Sequence, residues 1–268
     1  WITPPAYTGR PPLFLTRVES DAATSIEVPT GSVLLAQVSG SATAPELAEG
    51  EGAEDFGIVA EGSYRIERTL SGDTNIRVLL KGEELKAWAI KVIPDYSPRV
   101  ALEAPPSPSK RGALQLAYIA SDDYGLATIT ANIQRSDIST DEEIVYEIPL
   151  PGVNLKEAKG DSFRDLTPHP WAGLPVKLTL IATDAAGQRG ESETVSFRLP
   201  ERTFTHPVAQ EIVAARKTLM VDPASNRIGI IDELGSIAWK PRRYADDKVV
   251  FMALHMAARR LKQEAFED

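Results

Sequence analysis

The sequence contains no cysteine, and this absence excludes two classes of protein. A chain of 268 residues without cysteine holds neither a disulfide scaffold nor a zinc site built from thiolates. The absence is compatible with an oxidising compartment such as a periplasm. No apolar run approaches about 18 residues, so the sequence predicts no transmembrane helix. No signal peptide is recognisable and the first residue is Trp1, so we expect an internal region of a longer protein.

Positive charge is also scarce. The chain has 29 Lys and Arg against 38 Asp and Glu, a net charge of −9. A nucleic-acid-binding protein neutralises phosphates with clustered basic residues, so this balance argues against that class. The deficit is uneven, because residues 201–268 carry 11 basic and 10 acidic groups. The remainder of the chain is therefore the acidic part.

Catalytic motifs are missing as well. The sequence has no Gly-x-Ser-x-Gly, no His-Glu-x-x-His and no phosphate-binding glycine loop. The three histidines are far apart: His169 lies in a proline-rich turn, His206 at a helix start, and His255 beside a helical stripe. We interpret all three as structural and predict that the protein is not an enzyme. The competing enzyme hypothesis requires a pocket around His206 and Asp184.

The residues that are present predict two β-units. In residues 1–97, short β-branched segments recur at about ten-residue spacing and are separated by turn residues, which is typical of a β-sandwich. The acidic stretch Ser39 to Gly57 is interpreted as a solvated loop or a short strand excursion. Residues 98–200 hold seven predicted strands, the number of an immunoglobulin- or fibronectin-like sandwich: 99–103, 113–119, 126–133, 143–148, 162–166, 175–182 and 193–199. Prolines at 94–98 and 105–108 predict a short, stiff connection.

Residues 201–268 change to a helical period. Thr205-His-Pro207 and Asp222-Pro223 are helix starts, with a capping residue before proline. A third helix is predicted from about Ala245 to Phe266, with Asp246 and Asp247 in its first turn. The apolar residues predicted to be buried are 208, 212, 215 and 219 in the first helix, 231, 234 and 238 in the second, and 249, 250, 253, 256, 257 and 261 in the third. We expect these stripes to pack on each other, on the second sandwich or on a partner.

Three acidic residues are the weak metal candidates. Asp122 and Asp123 precede Tyr124-Gly125, and Asp184 precedes Ala-Ala-Gly187. Calcium requires six or more oxygen ligands, and these residues supply three carboxylates without a bidentate Glu at a fixed spacing. Asp also favours turns because its side chain bonds to the local backbone. We therefore interpret all three as turn residues and predict no metal and no cofactor.

Basic residues and tryptophans form two further sets, and only the basic set has two interpretations. The basic residues 240–243 with 259, 260 and 262 form either an ordinary helix surface or a face that approaches anionic lipid. The four tryptophans, at 1, 88, 171 and 239, are interpreted as core anchors.

Several stretches resemble one family of sequences. They are 1–15, Ser-Asp-Asp-Tyr-Gly-Leu at 121–126, 197–209, and Ala-Arg-Lys-Thr-Leu at 215–219. They resemble long alphaproteobacterial membrane proteins that carry domain of unknown function 4175. The resemblance implies membrane helices outside this chain, an extracytoplasmic region, and location on the periplasmic side of the inner membrane. It assigns no catalytic residue.

The sequence thus predicts a mainly β chain with an α-helical tail. Two tandem immunoglobulin-like sandwiches, 1–97 and 98–200, precede a three-helix segment, 201–268. The predicted function is a non-catalytic structural and protein-interaction region whose partners are proteins of the cell envelope. The alternative is a glycan or cell-wall binding module, which requires Tyr7, Tyr124 and Trp171 to be exposed on one face. The oligomeric state is left open.

Overall fold

The computed structural model describes residues 1–15, 25–50, 52–138 and 141–264. Nine strands lie in its first part: β1 Ile2–Thr3, β2 Ile26–Pro29, β3 Ser32–Ser39, β4 Glu46–Glu49, β5 Gly52–Asp55, β6 Gly57–Ala60, β7 Ser63–Leu70, β8 Thr74–Leu80 and β9 Glu83–Ile93. A 3-10 turn covers Ala6–Thr8. The segment Leu13-Phe-Leu-Thr-Arg17, which by composition is also a predicted strand, falls partly outside the described residues. Leu13 itself forms a bridge with Ile2.

These strands form two sheets that enclose one core. One sheet has the order β1-β3-β7-β6 and the other β2-β9-β8-β4-β5. Only the β2–β9 pair is parallel among the described strand pairs. Side chains alternate across each strand, so Leu34 and Leu70 of the first sheet meet Leu47 and Ile76 of the second in a single buried cluster. The acidic stretch Ser39 to Gly57 contains β4 and β5, so the short-strand interpretation is the right one.

The second β-unit is built around one long strand. Its elements are β10 Arg99–Leu102, β11 Ser107–Pro108, β12 Leu114–Arg135, β13 Glu143–Ile148, β14 Leu155–Arg164, β15 Pro175–Asp184, β16 Arg189–Glu191 and β17 Val195–Arg198. The first half of β12 pairs with β10, β11 and β14. Its second half pairs with β13 and β15, and β15 pairs with β16 and β17. Both halves contribute to one buried cluster, so β12 belongs to both layers of the sandwich.

The predicted turn at Asp122–Gly125 is wrong, because the chain does not reverse there. Ser121 pairs with Glu157 and Leu126 with Leu155, so four residues of β12 lie opposite one residue of β14. This bulge bends the strand from one layer to the other. Gly125, the last residue of the bulge, has φ +122°. A Cβ atom at this position would lie 3.0 Å from the Asn154 backbone. Glycine is required because the two backbones approach this closely.

The three helices are α1 Pro207–Val221, α2 Pro223–Ala238 and α3 Lys248–Glu264, with a 3-10 turn at Pro241–Tyr244. Both predicted starts are confirmed: His206 Nδ1 accepts from the Val208 N–H, and Asp222 Oδ1 accepts from the Ser225 N–H at 3.0 Å. The helices share a buried cluster that includes Ile230, Leu234 and Leu254. The predicted stripe of α1, and Leu234 and Ala238 of α2, pack into this cluster or against it. Ile231 is buried but lies outside the cluster.

The prediction for α3 is wrong in two respects. The helix begins at Lys248, after Asp246 and Asp247, and Asp247 Oδ1 accepts from the Val249 N–H at 2.7 Å. The inward side chains are Val250, Leu254, Ala258 and Leu261. The other predicted stripe residues, Val249, Ala253, Met256 and Ala257, are exposed. The predicted end at Phe266 lies outside the described residues.

The predicted fold class is confirmed: the chain is mainly β, its sheets have a sandwich-like arrangement, and three helices follow. The three buried clusters lie within 2–92, within 100–220 and within 208–261. The predicted domain bounds themselves stay a prediction. Within the described residues, every helix is too short or too polar to cross a lipid bilayer.

Candidate functional site

The first candidate site is the junction of the two sandwiches, where acidic residues gather. Asp184 ends β15 and takes the predicted turn role, because its Oδ1 accepts from the Gln188 N–H at 2.8 Å. Asp122 Oδ2 accepts from the N–H groups of Tyr124 and Gly125 at 2.9 and 2.6 Å. Gln188 also connects this turn to the linker, since its side chain accepts from the Ser97 hydroxyl at 3.0 Å. Asp122 and Asp184 thus shape the bulge and the turn locally, and the Gln188 side chain connects the turn to the linker.

Four carboxylate oxygens at this junction are buried without a hydrogen-bond partner: Asp95 Oδ1, Asp122 Oδ1, Asp123 Oδ1 and Asp184 Oδ2. Burial raises the pKa of Asp123, and the neighbouring carboxylates Asp122 and Asp95 raise it further, against local backbone hydrogen bonds that lower it. Asp95 is the residue that the sequence interpretation missed. Asp95 lies between Pro94 and Pro98, and such a proline-flanked position is typical of a linker.

Aromatic rings cover one side of the junction. Tyr7, from the 3-10 turn of the first unit, packs edge-on against Tyr124 with ring centroids 5.8 Å apart. Arg10 and Lys156 lie near the Tyr124 ring, at 5.6 and 5.9 Å from its centroid. The pKa of Tyr7 is raised to about 12, by burial first and then by the charge of the Asp95 carboxylate and a hydrogen bond to it. The junction is a packed contact in which both units take part.

The three metal candidates do not form a metal centre in the described part of the chain. No group of three or more His, Asp or Glu side chains is arranged there so that it could hold a metal ion. In both Asp122 and Asp184, one carboxylate oxygen accepts hydrogen bonds from backbone N–H groups. Their hydrogen bonds shape the bulge in β12 and the turn after β15.

A second set of contacts fixes the first helix to the second sandwich. Arg135, at the end of β12, has a fully buried side chain that binds both oxygens of Asp137, at 2.7 and 2.8 Å, and the Met220 carbonyl at 3.1 Å. The Arg135 guanidinium lowers the pKa of Asp137. Arg216 donates to the carbonyls of His169, Pro170 and Ala172. Arg135 therefore places a cationic group at the carbonyl end of α1, where the helix dipole favours it, and both arginines connect α1 to the second sandwich.

The histidines occupy the structural positions that the sequence predicts. His169 Nδ1 accepts from the Trp171 N–H at 3.1 Å, and burial lowers the pKa of His169. His206 is the N-cap of α1.

Three cavities bear on the enzyme hypothesis. One of about 610 Å³ is lined by β10, β12 and β14, one of about 410 Å³ lies between β10 and β16, and one of about 270 Å³ lies in the first sandwich. Neither His206 nor Asp184 lines any of them, so the pocket required by the enzyme hypothesis is not among these cavities.

The third candidate is the exposed side of α3. We define the α3 outer face as Val249, Met252, Ala253 and Met256, which recur at helical spacing; Val249, Met252 and Met256 are 74, 61 and 64% exposed. Beside it lies an aromatic edge formed by Trp239, Phe251 and His255. The His255 ring stacks on Phe251 at 4.8 Å and meets Trp239 edge-on at 6.3 Å. Exposed apolar side chains therefore cover one side of α3 and the adjoining end of α2.

The tryptophan interpretation is therefore only partly right. Trp171 is buried in the core of the second sandwich, where Arg135 approaches its ring. Trp1 is 40% exposed, and Trp239 is 76% exposed at the end of α2. The glycan alternative required Tyr7, Tyr124 and Trp171 on one exposed face. Tyr124 and Trp171 are buried and Tyr7 is half-buried, so these three residues form no such face.

Comparison with known proteins identifies the family. The sequence profile described as Domain of unknown function (DUF4175) matches residues 1–268. The chain belongs to this family. No curated protein matches the chain.

Solved structures give only distant likenesses to this DUF4175 chain. Domains A168–A170 from titin share 12% identity over 75% of this chain and 66% of theirs, with a TM-score of 0.31. The FN1–FN3 domains of chicken CNTN1 share 10% identity over 67% and 63%, with a TM-score of 0.30. A DUF3823 family protein from Bacteroides ovatus shares 11% identity over 60% and 91%, with a TM-score of 0.27. At these TM-scores the likenesses carry no argument about function.

Proposed function

We propose that this chain is a non-catalytic structural and protein-interaction region of a larger membrane-anchored protein, on the extracytoplasmic side of the membrane. The observation that carries the interaction role is the exposed apolar α3 outer face with its aromatic edge. Exposed Trp and Met side chains are enriched where proteins bind one another. Isolated exposed apolar residues are common, but this set is contiguous on one helix and its neighbour.

The structural role rests on how the helices are attached. The packed junction connects the first unit to the second, and the buried Arg135 with Arg216 connects the second unit to α1. These attachments present α3 at a set position relative to both sandwiches. The family resemblance supports the membrane anchor and the periplasmic location, and the absence of cysteine is compatible with that location.

Photocrosslinking in cells of the source bacterium tests the interaction role. A photoreactive phenylalanine analogue replaces Met256 on the outer face or, as the control, Ile58, which is 79% exposed on β6. We expect a discrete protein adduct from position 256 and none from position 58. Adducts of equal yield from both positions, or no adduct from position 256, contradict the proposal. Protease digestion of spheroplasts tests location: the region is cleaved from outside if it is extracytoplasmic.

A cell-wall binding module is the second candidate, and Trp239 is the observation that favours it. An indole that is 76% exposed beside Phe251 and His255 provides an aromatic surface on which sugar rings stack. Co-sedimentation with purified peptidoglycan distinguishes this role. Binding that Trp239→Ala abolishes and Ile58→Ala preserves supports it; absence of binding by the unsubstituted chain contradicts it.

A further inference from the structure

The outer face of α3 is complementary in charge to itself when two copies run in opposite directions. Asp246 and Asp247 immediately precede the helix, and Arg259 and Arg260 lie near its end. The two pairs are about 20 Å apart along the helix axis. Between them lie Val249, Met252, Ala253 and Met256. An antiparallel pair of α3 helices centred near Ala253 therefore places each acidic pair opposite the basic pair of the other copy.

Three of the four charged residues at the helix ends are available for such pairing, whereas Asp247 Oδ1 already accepts from the Val249 and Val250 N–H groups. Asp246, Arg259 and Arg260 are exposed and make no ion pair within the described residues. This contrasts with Arg243, which is bonded to Glu211. A two-fold axis repeats every contact, so each acidic–basic pairing occurs twice in one dimer.

The side chains between the charges suit close helix packing. Ala253 and Ala257 are both exposed, and small residues let two helices approach closely. Met252 and Met256 are two of the three methionines of the chain, and flexible methionines adapt to a facing surface. The apolar spacing of three and four residues is that of a helix-to-helix seam.

From these features we infer that the α3 outer face is the contact between two copies of this chain, which pair as an antiparallel, two-fold dimer. The inference rests on the proposed interaction function and names its partner. A single helix pair forms a small interface, so the expected dissociation constant is micromolar rather than nanomolar. The partner is another copy of this chain because the charge pattern repeats in reverse, whereas an anionic membrane would favour basic flanks alone.

Analytical ultracentrifugation of the 268-residue chain tests the dimer. Protein concentrations from about 1 to 200 μM bracket the expected micromolar dissociation constant. Met256→Glu places a charge in the seam and should leave a folded monomer. Ile58→Glu, on the distant β6, is the matched control and should leave the association unchanged. Circular dichroism of each variant confirms that it is folded. A chain that is monomeric throughout, or a dimer that Met256→Glu spares, overturns the inference.

A charge swap tests the antiparallel register. Asp246→Arg and Arg260→Asp each create like-charge contacts across the dimer and should weaken it about tenfold. The double variant Asp246→Arg/Arg260→Asp restores opposite charges and should return the dissociation constant to within about threefold of the unsubstituted value. A double variant weaker than either single variant overturns the antiparallel pairing.

The two proposals can fail separately. If the purified chain stays monomeric while position 256 crosslinks to a different protein in cells, self-association is wrong and the interaction function stands. If monomeric protein floats with anionic phospholipid vesicles at physiological salt and loses this property with Met256→Glu, the outer face contacts lipid and both proposals for this face fail.

Discussion

Carboxylates at the sandwich junction fix the local backbone geometry but reduce the stability of the folded state. Asp122 and Asp184 use one oxygen each to hold a bulge and a turn, and each leaves the other oxygen buried without a donor. A buried polar atom without a partner costs about 1–3 kcal/mol. The junction thus gains a defined backbone geometry and bears the electrostatic cost of four neighbouring acids.

Asp123 gives a pH-dependent prediction. Its folded pKa is raised above the unfolded value near 3.8, by burial first and then by Asp122 and Asp95. The folded state therefore binds the proton more tightly, and stability falls as pH rises through the folded pKa. We expect Asp123→Asn to raise the free energy of unfolding by about 1 kcal/mol at pH 7 and to have no effect once pH is below the unfolded pKa.

Urea unfolding of Asp123→Asn at pH 7 and near pH 3 measures this effect. The control is Asp55→Asn on the exposed strand β5, which should change stability little at either pH. A destabilised Asp123→Asn protein at pH 7 would show that the ionised carboxylate is favoured, contrary to the prediction.

Arg135 gives the second prediction at this scale. Its guanidinium is fully buried and satisfies both Asp137 oxygens and the Met220 carbonyl. Removing one partner of a buried pair costs about 3 kcal/mol because the other is left unpaired. We expect Arg135→Ala to lose about that much in urea unfolding, and Arg135→Lys to lose less. Arg65→Ala, which breaks a half-exposed pair with Glu67, should cost at most about 1 kcal/mol; equal losses would contradict the prediction.

At the scale of elements, α3 shows why a sequence pattern can predict a helix without predicting its orientation. Val249, Met252 and Met256 form one apolar stripe, and Val250, Leu254 and Leu261 form another. Periodicity favours a helix in both cases but does not choose the face that packs. The choice depends on contacts with α1 and α2, which are distant in sequence and were not readable from the local pattern.

The strands of the sandwiches were more predictable, because alternating β-branched residues and glycine-marked turns are local signals. The bulge at Asp122–Gly125 was misread for the opposite reason. Asp-Asp-Tyr-Gly has the composition of a chain-reversing turn, and only pairing with β14 and β15 on both sides keeps it within one strand. Asp95 was missed because its partners come from three separate segments.

Two glycines give a prediction with opposite signs. Gly229 lies on an exposed position of α2, and a Cβ there would meet nothing within 4 Å. Gly229→Ala should therefore stabilise the protein by about 1 kcal/mol. At Gly190, in β16, a Cβ would overlap the Pro98 carbonyl, so Gly190→Ala should destabilise by about 1–3 kcal/mol. Thermal unfolding of both variants measures the difference, and a shift of the same sign in both would contradict the packing argument.

For the whole molecule, the junction predicts a fixed angle between the sandwiches. Because the chain has no cysteine, Ile58→Cys and Val145→Cys can carry one spin label each on exposed strands of the two units. We expect a single narrow distance distribution by pulsed electron resonance. Gln188→Ala, which removes the bonds to Ser97 and to the Asp95 carbonyl, should broaden it.

The matched control is Gln115→Ala, which removes a glutamine hydrogen bond to Asp161 inside the second sandwich and should leave the distribution narrow. A broad distribution in the unsubstituted chain would show that the two units reorient freely, and the structural role proposed for the junction would be wrong.

The long strand β12 has a consequence for how the second sandwich folds. Its 22 residues pair with one layer through their first half and with the other through their second half. Forming either ladder therefore fixes one half of the strand that the other ladder needs and brings the remaining half close to its partners. The main refolding phase of this unit should therefore be a single exponential, with a rate limited by the search for partners far apart in the chain.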